Sequence, residues 1–219
     1  MKPIFPLLLA AFPATAQDLS PAIARMQAAM AAEDLLSTCP ADLYRSRMPL
    51  LSRIFGPGAD LPDGFCAAGP EGCVSACLDG LSGDACFRFG HLMETAKGGD
   101  ALTGRHAHAL GCALGDPSGC TNRGGGIRNL PLTGDALSLV PFEDKHDCLF
   151  RSFSLACHAA NSWGCAMLGQ AYENGEGTAV STDLAITSYT AACTLSAPDT
   201  EFPACLFARA RLDELARAP

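Results

Sequence analysis

Apolar and small residues recur at intervals of three and four along most of the chain, which is the spacing of one face of an amphipathic helix. In the clearest segment, Leu168 and Tyr172 fall on the same helical face as Cys165. An Asn-Gly-Glu-Gly run then ends the helix, and Thr182 is predicted to cap a second helix that extends to Cys193. The pattern therefore predicts a hairpin of two helices joined by a short loop.

This hairpin resembles a Sel1-like repeat, whose pattern is A-x-x-L-G-x-x-Y-x-x-G-x-G-V followed by D-x-x-x-A-x-x-Y-x-x-A-A. The residues that carry the resemblance are Leu168, Gly169, Tyr172, Gly175, Gly177, Asp183, Ala185, Tyr189, Ala191 and Ala192, with Thr178 and Ala179 inserted before Val180. The resemblance covers about 86–215, unevenly. It implies an all-α fold, a right-handed α/α superhelix of the Sel1-like and tetratricopeptide kind, in which stacked hairpins complete one another's core.

The cysteines indicate the period of the repeat. Cys86, Cys120, Cys165 and Cys205 are separated by 34, 45 and 40 residues, which is within the range typical of solenoid repeats. We therefore expect repeats at about 84–118, 119–163 and 164–203 within a repeat region at 81–219, a closing helix at 205–218, and an N-terminal helical cap at 17–80 with helices at about 20–36 and 41–55.

The middle repeat, 119–163, is predicted to be degenerate. Its first helix would contain Gly124, Gly125 and Gly126, each costing about 1 kcal/mol relative to alanine, so a long loop is expected there instead. An anion-binding loop is the functional alternative, but the lysine of a P-loop is missing. Helicity is expected to resume at about 142–157.

Residues 1–16, MKPIFPLLLAAFPATA, have the features of a signal peptide: a lysine near the start, a short apolar stretch and a small-x-small ending. Three prolines interrupt the apolar run, which is too short for a membrane anchor. We expect export to a bacterial periplasm or beyond it, with cleavage after Ala16.

All twelve cysteines follow that segment, and an even number in an exported chain indicates a disulfide framework. Four pairs enclose turns rich in glycine, proline, aspartate or serine and are expected to bridge one helix to the next: Cys77 with Cys86, Cys112 with Cys120, Cys157 with Cys165, and Cys193 with Cys205. Cys66 and Cys73 enclose a similar turn, which leaves Cys39 with Cys148. Spacing leaves the pairing of these last four cysteines open.

The placement of a cysteine at the end of one hairpin and another at the start of the next further resembles the Helicobacter cysteine-rich proteins. Mitochondrial cytochrome oxidase assembly factors share that plan. The first resemblance implies penicillin binding or weak β-lactamase activity, and the second implies haem or metal handling in respiratory-complex assembly. Both are alternatives to a binding scaffold.

The sequence motifs do not supply either chemistry. The motifs S-x-x-K, S-D-N, K-T-G and G-x-S-x-G are absent, and neither Lys97 nor Lys145 stands three residues after a serine. No C-x2-C occurs, and Ser154 stands where haem attachment would need a cysteine. His106 and His108 would point to different faces of a helix. We therefore predict no catalytic residue, no cofactor and no metal ligand.

The formal net charge of −8 argues against nucleic acid or an anionic membrane as the main partner. No insertion into a membrane is expected. The implied superhelix has a concave face, on which we expect a protein, an extended peptide or a glycan to bind. Trp163 is expected to anchor a turn rather than a ligand. We expect four arginines to be scattered over the surface or, as the alternative, to line a groove: Arg105, Arg123, Arg128 and Arg151.

Overall fold

The computed structural model describes residues 18–55, 61, 62 and 64–217, and all regular structure in these ranges is helical. The expected all-α class is therefore confirmed. The helices are α1 (Ser20–Ala32), α2 (Pro40–Leu43), α3 (Leu50–Phe55), α4 (Phe65–Ala68), α5 (Pro70–Leu78), α6 (Gly83–Thr95), α7 (Ala101–Ala113), α8 (Pro117–Asn129), α9 (Ala136–Leu139), α10 (His146–His158), α11 (Ser162–Asn174), α12 (Thr182–Ser196) and α13 (Pro203–Leu215), with a 3-10 turn at Glu143–Lys145. The predicted signal peptide lies outside the described residues.

Apart from the short α9, helices that follow one another along the chain pack side by side from α6 to α13, with α8 packing directly against α10. A second set of contacts skips one helix: α6 touches α8, α8 touches α11, and α11 touches α13. We call these four the A helices, and α7, α10 and α12 the B helices. In the described part of the chain, the B helices make at most marginal contacts with one another. The short helix α2 contacts both α7 and α10 and fills the seam between them.

Two of the A helices begin with the same five-residue pattern. Asp116 accepts a hydrogen bond from the amide of Gly119 at 2.6 Å, and Asn161 accepts one from Gly164 at 2.7 Å. A Cβ on Gly119 would lie 2.8 Å from the amide nitrogen of Cys112, so only glycine allows this close approach to the preceding helix. The pattern cap-x-x-Gly-Cys thus places each cysteine beside its partner.

The helix α12 begins one residue earlier than the capping prediction requires. Ser181, and not Thr182, is the N-cap, and its side chain accepts from the amide of Leu184 at 3.3 Å. Either hydroxyl could cap a helix. Ser181 holds the extended backbone of a cap, whereas Thr182 already lies within the helix.

The prediction of a loop at the three glycines is wrong, because α8 continues through them to Asn129. A Cβ on Gly124 would lie 2.9 Å from the Phe153 ring, and one on Gly126 would lie 3.1 Å from Nε of Arg105. These two glycines allow close packing against buried side chains. Tertiary packing therefore outweighs the low helix propensity of the segment.

The N-terminal region contains shorter helices than expected. α1 ends at Ala32, before buried Leu35 and Leu36, instead of reaching residue 36. The helix expected at 41–55 is divided into α2 and α3: the backbone leaves the helical region at Tyr44, Arg45 has a positive φ of 59°, and Pro49 disfavours helical geometry at Met48. The 142–157 helix is observed as the 3-10 turn followed by α10. α13 ends at Leu215, and residues 218 and 219 lie outside the described ranges.

Candidate functional site

All twelve cysteines are paired in the structure, so none is free. The pairs are Cys39–Cys148, Cys66–Cys73, Cys77–Cys86, Cys112–Cys120, Cys157–Cys165 and Cys193–Cys205. Five of them link neighbouring helices, and Cys39–Cys148 ties α2 to α10 across 109 residues. No thiolate is therefore available as a nucleophile. Six disulfides in a chain of this size indicate an oxidising compartment outside the cytoplasm.

Two of the arginines expected at scattered surface positions are instead buried around one carboxylate. Both guanidinium groups contact Asp135: Nη1 of Arg105 at 2.7 Å, and Nη1 and Nη2 of Arg123 at 2.6 and 2.7 Å. Arg123 also donates to the carbonyl of Leu36 at 2.8 Å. Burial raises the pKa of Asp135, but hydrogen bonds and charge from the two arginines hold it below the usual aspartate value. The cluster connects α7, α8, α9 and the segment after α1.

Lys145 lies next to this cluster and is also buried. Its ammonium group donates to the carbonyls of Ile127 and Ser138 at 2.8 and 3.1 Å. Burial lowers its pKa, opposed by the charge of Asp135. Because the group is held by two backbone carbonyls away from solvent, Lys145 has a structural role and is not placed as a catalytic base.

Each of the other two arginines forms an ion pair with a carboxylate from a different segment of the chain. Arg128 forms an ion pair with Glu176 and lies 3.7 Å from the sulfur of Met167. Arg151 contacts Asp42 at 2.6 Å, on the exposed side of the α2–α10 seam. Its pKa is raised by hydrogen bonds to Asp42 and Asp147. None of the four arginines is an isolated surface charge.

The two histidines of α7 are both buried but lie in different environments, as their spacing predicts. Burial lowers the pKa of His106 to about 4. His108 lies 3.4 Å from the carboxylate of Glu94, and its ring packs against Gly90. Within the described residues, no group of three histidine, cysteine or acidic side chains could hold a metal ion.

Ser154 and His158 resemble a nucleophile and base but cannot act as such. The serine Oγ lies 3.5 Å from Nδ1 of His158. That nitrogen is only 2.7 Å from the carbonyl oxygen of Ser154, so it must carry the proton. A protonated Nδ1 cannot accept the hydroxyl proton, and this pair does not supply the general base of a hydrolase.

Three of the A helices, α6, α8 and α11, carry partly or fully exposed residues that together we call the A face. It comprises Phe87, His91 and Glu94 of α6, Ser118, Asn122, Gly125 and Asn129 of α8, and Trp163, Met167, Gln170 and Asn174 of α11. Within each helix these residues are spaced by three or four positions, so they form one stripe. Asn161 donates to Oγ of Ser118 at 3.0 Å, which links the start of α11 to the stripe on α8.

The sequence alone does not distinguish Gly125 from the glycines on either side of it, although its surroundings in the structure are different. A Cβ at Gly125 would meet nothing within 4 Å, unlike one at Gly124 or Gly126. Packing therefore does not require this glycine, although glycine weakens a helix. Trp163, expected as a turn anchor, is half-buried on α11 with its ring 6.0 Å from that of Phe207.

No family model matches the chain, and no curated protein matches it with significant similarity. Among the described residues, none of the helices has the length and apolar character needed to cross a membrane.

Proposed function

We propose that the chain is an exported, Sel1-like repeat protein that binds an extended ligand on its A face. The proposal rests on the order of the helices from α6 to α13, on the turn disulfides, and on the repeat motif at 164–193. Contacts among A helices without equivalent contacts among B helices favour a curved stack with the A helices on the inner side.

The observation that carries the proposal is the chemistry of the α8 stripe. Its centre has neutral hydrogen-bonding groups, Ser118, Asn122 and Asn129, around the bare backbone at Gly125. Side-chain amides both donate and accept, as the backbone of a peptide or the hydroxyls of a glycan require. A glycine with free space above it allows a ligand to approach the helix closely.

Rings stand on both sides of this polar centre. The ring centroids of Phe87 and His91 on α6 are 6.5 Å apart, and Trp163 lies on α11. Aromatic rings of this kind supply apolar contact to side chains or sugar faces. We therefore propose an uncharged, extended ligand that crosses α8 at Gly125, with an extracytoplasmic peptide or glycan as its class.

The proposal is tested by site-specific photo-crosslinking in the native cell. A benzophenone amino acid at Asn129 or Gln170 should give one reproducible crosslinked product. The same group at exposed Thr190 of α12, a B helix, should not give that product. Introducing a bulky side chain by Gly125→Trp should abolish the Gln170 product, whereas Thr190→Trp should leave it. Equal products from both faces would contradict the proposal.

A further inference from the structure

Helix α3 exposes three large aliphatic side chains on one face. Leu50, Leu51 and Ile54 are 72%, 69% and 65% exposed, and their positions fall within about a third of the helix circumference. Contiguous exposed aliphatic residues are unusual on a soluble protein unless something covers them. The face is separate from the A face and plays no part in the proposed ligand binding.

The helix stands away from the rest of the molecule. In the part of the chain that the structure describes, α3 makes at most marginal contacts with any other helix. Its inner side, with Pro49 and Ser52, borders a cavity of about 410 Å³ that is also lined by Met48 and Leu81. A six-residue helix gains little stability from its own hydrogen bonds. Its apolar outer face is therefore available to an external surface.

The segment 43–55, which includes α3, has a charge opposite in sign to that of the whole protein, although Asp84 and Asp116 line the cavity that α3 borders. The segment 43–55 contains Arg45, Arg47 and Arg53 and no acidic residue, in a chain with a formal net charge of −8. All three arginines are exposed, and Glu33 pairs with Arg47. Arg53 donates to two backbone carbonyls, of Met48 and Ser46, and keeps its positive charge. Among the described residues, no carboxylate pairs with Arg45 or Arg53, so this segment carries two positive charges without a paired counter-charge.

We propose that α3 docks the protein peripherally on a membrane surface containing anionic phospholipid. Leu50, Leu51 and Ile54 would enter the boundary between headgroups and acyl chains, while Arg45 and Arg53 contact phosphates. A protein partner is less well matched, because binding hot spots are enriched in aromatic residues and depleted in leucine, and the three described side chains of this face are aliphatic. The net charge of the whole chain argues against binding to an anionic membrane, whereas the positive charge of the segment 43–55 favours it.

The test is vesicle flotation of the oxidised mature protein. The protein should float with phosphatidylcholine vesicles that contain one third phosphatidylglycerol, and much less with phosphatidylcholine alone. Leu51→Ser with Ile54→Ser should weaken the binding by about tenfold or more. Val180→Ser with Leu184→Ser removes aliphatic side chains that are 66% and 46% exposed elsewhere, and should leave the binding unchanged.

A second pair of variants tests the charge. Arg45→Gln with Arg53→Gln should reduce binding to the anionic vesicles and remove most of its dependence on salt. The proposal is overturned if the native protein floats with neither vesicle, or if the aliphatic variant binds as well as the native protein. Self-association that is lost in the aliphatic variant, without vesicle binding, would assign the face to contact between copies and also overturn it. Circular dichroism and thiol titration verify that each variant is folded and oxidised.

Discussion

Three consecutive glycines lie within α8, and at the scale of single residues they have different roles. Gly124 packs against Phe153 and Gly126 against Arg105, whereas Gly125 faces open space. The sequence shows only three residues with low helix propensity. Their partners are 29 and 21 positions distant, so the difference between them depends on tertiary packing that local pattern does not contain.

Substitution of the adjacent glycines by alanine should therefore have opposite effects. Gly125→Ala should stabilise the protein by about 0.5–1 kcal/mol, because a helical glycine is replaced without a clash. Gly124→Ala should destabilise it by about 1–3 kcal/mol, because the new methyl group would press on the Phe153 ring. Denaturant unfolding of the two variants measures the difference. Destabilisation by both would show that the outer side of Gly125 is covered.

Among the residues that the structure describes, Asp135 is the only acidic side chain that pairs with the buried Arg105 and Arg123. Asp135→Ala should destabilise the protein by about 3–5 kcal/mol, because two buried guanidinium groups lose their counter-charge. Asp147→Ala is the control, since Asp147 forms an exposed pair with Arg151 and should contribute well under about 1 kcal/mol. Because the pKa of Asp135 is lowered in the folded state, its contribution is present above the aspartate pKa of the unfolded chain and is lost as the pH falls through the folded value.

His106 should make the free energy of unfolding depend on pH in a range above the one in which Asp135 acts. Burial lowers its pKa to about 4 from the usual histidine value of 6.5, so the unfolded chain binds a proton between these values and the folded protein does not. The free energy of unfolding should therefore fall by up to about 3 kcal/mol as the pH drops from 6.5 to 4. His106→Gln should remove this slope, and His91→Gln, at an exposed site, should retain it. An unchanged slope in the first variant would assign the effect elsewhere.

At the scale of elements, periodicity located α10 to α13 well, but it missed α8 and located the N-terminal helices less well. The hairpin of α11 and α12 could be predicted because its apolar spacing, glycines and cap agree. The ends of α1, α2 and α3 could not be predicted from the sequence. Leu36 accepts a hydrogen bond from Arg123, 87 positions away, and α2 contacts α7 and α10, so these segments take their shape from residues distant in the sequence.

Disulfides that close long and short loops should differ in their effect on stability. In the chain-entropy model, Cys39→Ser with Cys148→Ser should cost about 5 kcal/mol because the pair closes a long loop. Cys66→Ser with Cys73→Ser should cost about 2.5 kcal/mol because the loop is short. Unfolding of the two double variants under oxidising conditions provides the comparison. Equal losses would indicate that α2 does not depend on the long-range bridge for its position.

At the scale of the whole molecule, the chain is a series of helical hairpins linked by disulfides, with an N-terminal segment fixed in the α7–α10 seam. The candidate ligand face could be predicted only as the inner side of a repeat stack. Apart from Trp163 and the glycine run, its residues were not singled out, because neutral amides belong to no catalytic motif. The buried Arg105–Asp135–Arg123 cluster was also unexpected, since charged residues are rarely buried unless they are paired.

The central claim is that these six disulfides hold the hairpins and the N-terminal segment together in an oxidising compartment. The most direct measurement is a disulfide map by mass spectrometry, on protein isolated from its own cell with thiols blocked at lysis. The structure predicts no blocked thiol and six linked peptide pairs, including Cys39–Cys148. Several blocked cysteines, or Cys39 linked to Cys66 or Cys73, would contradict it.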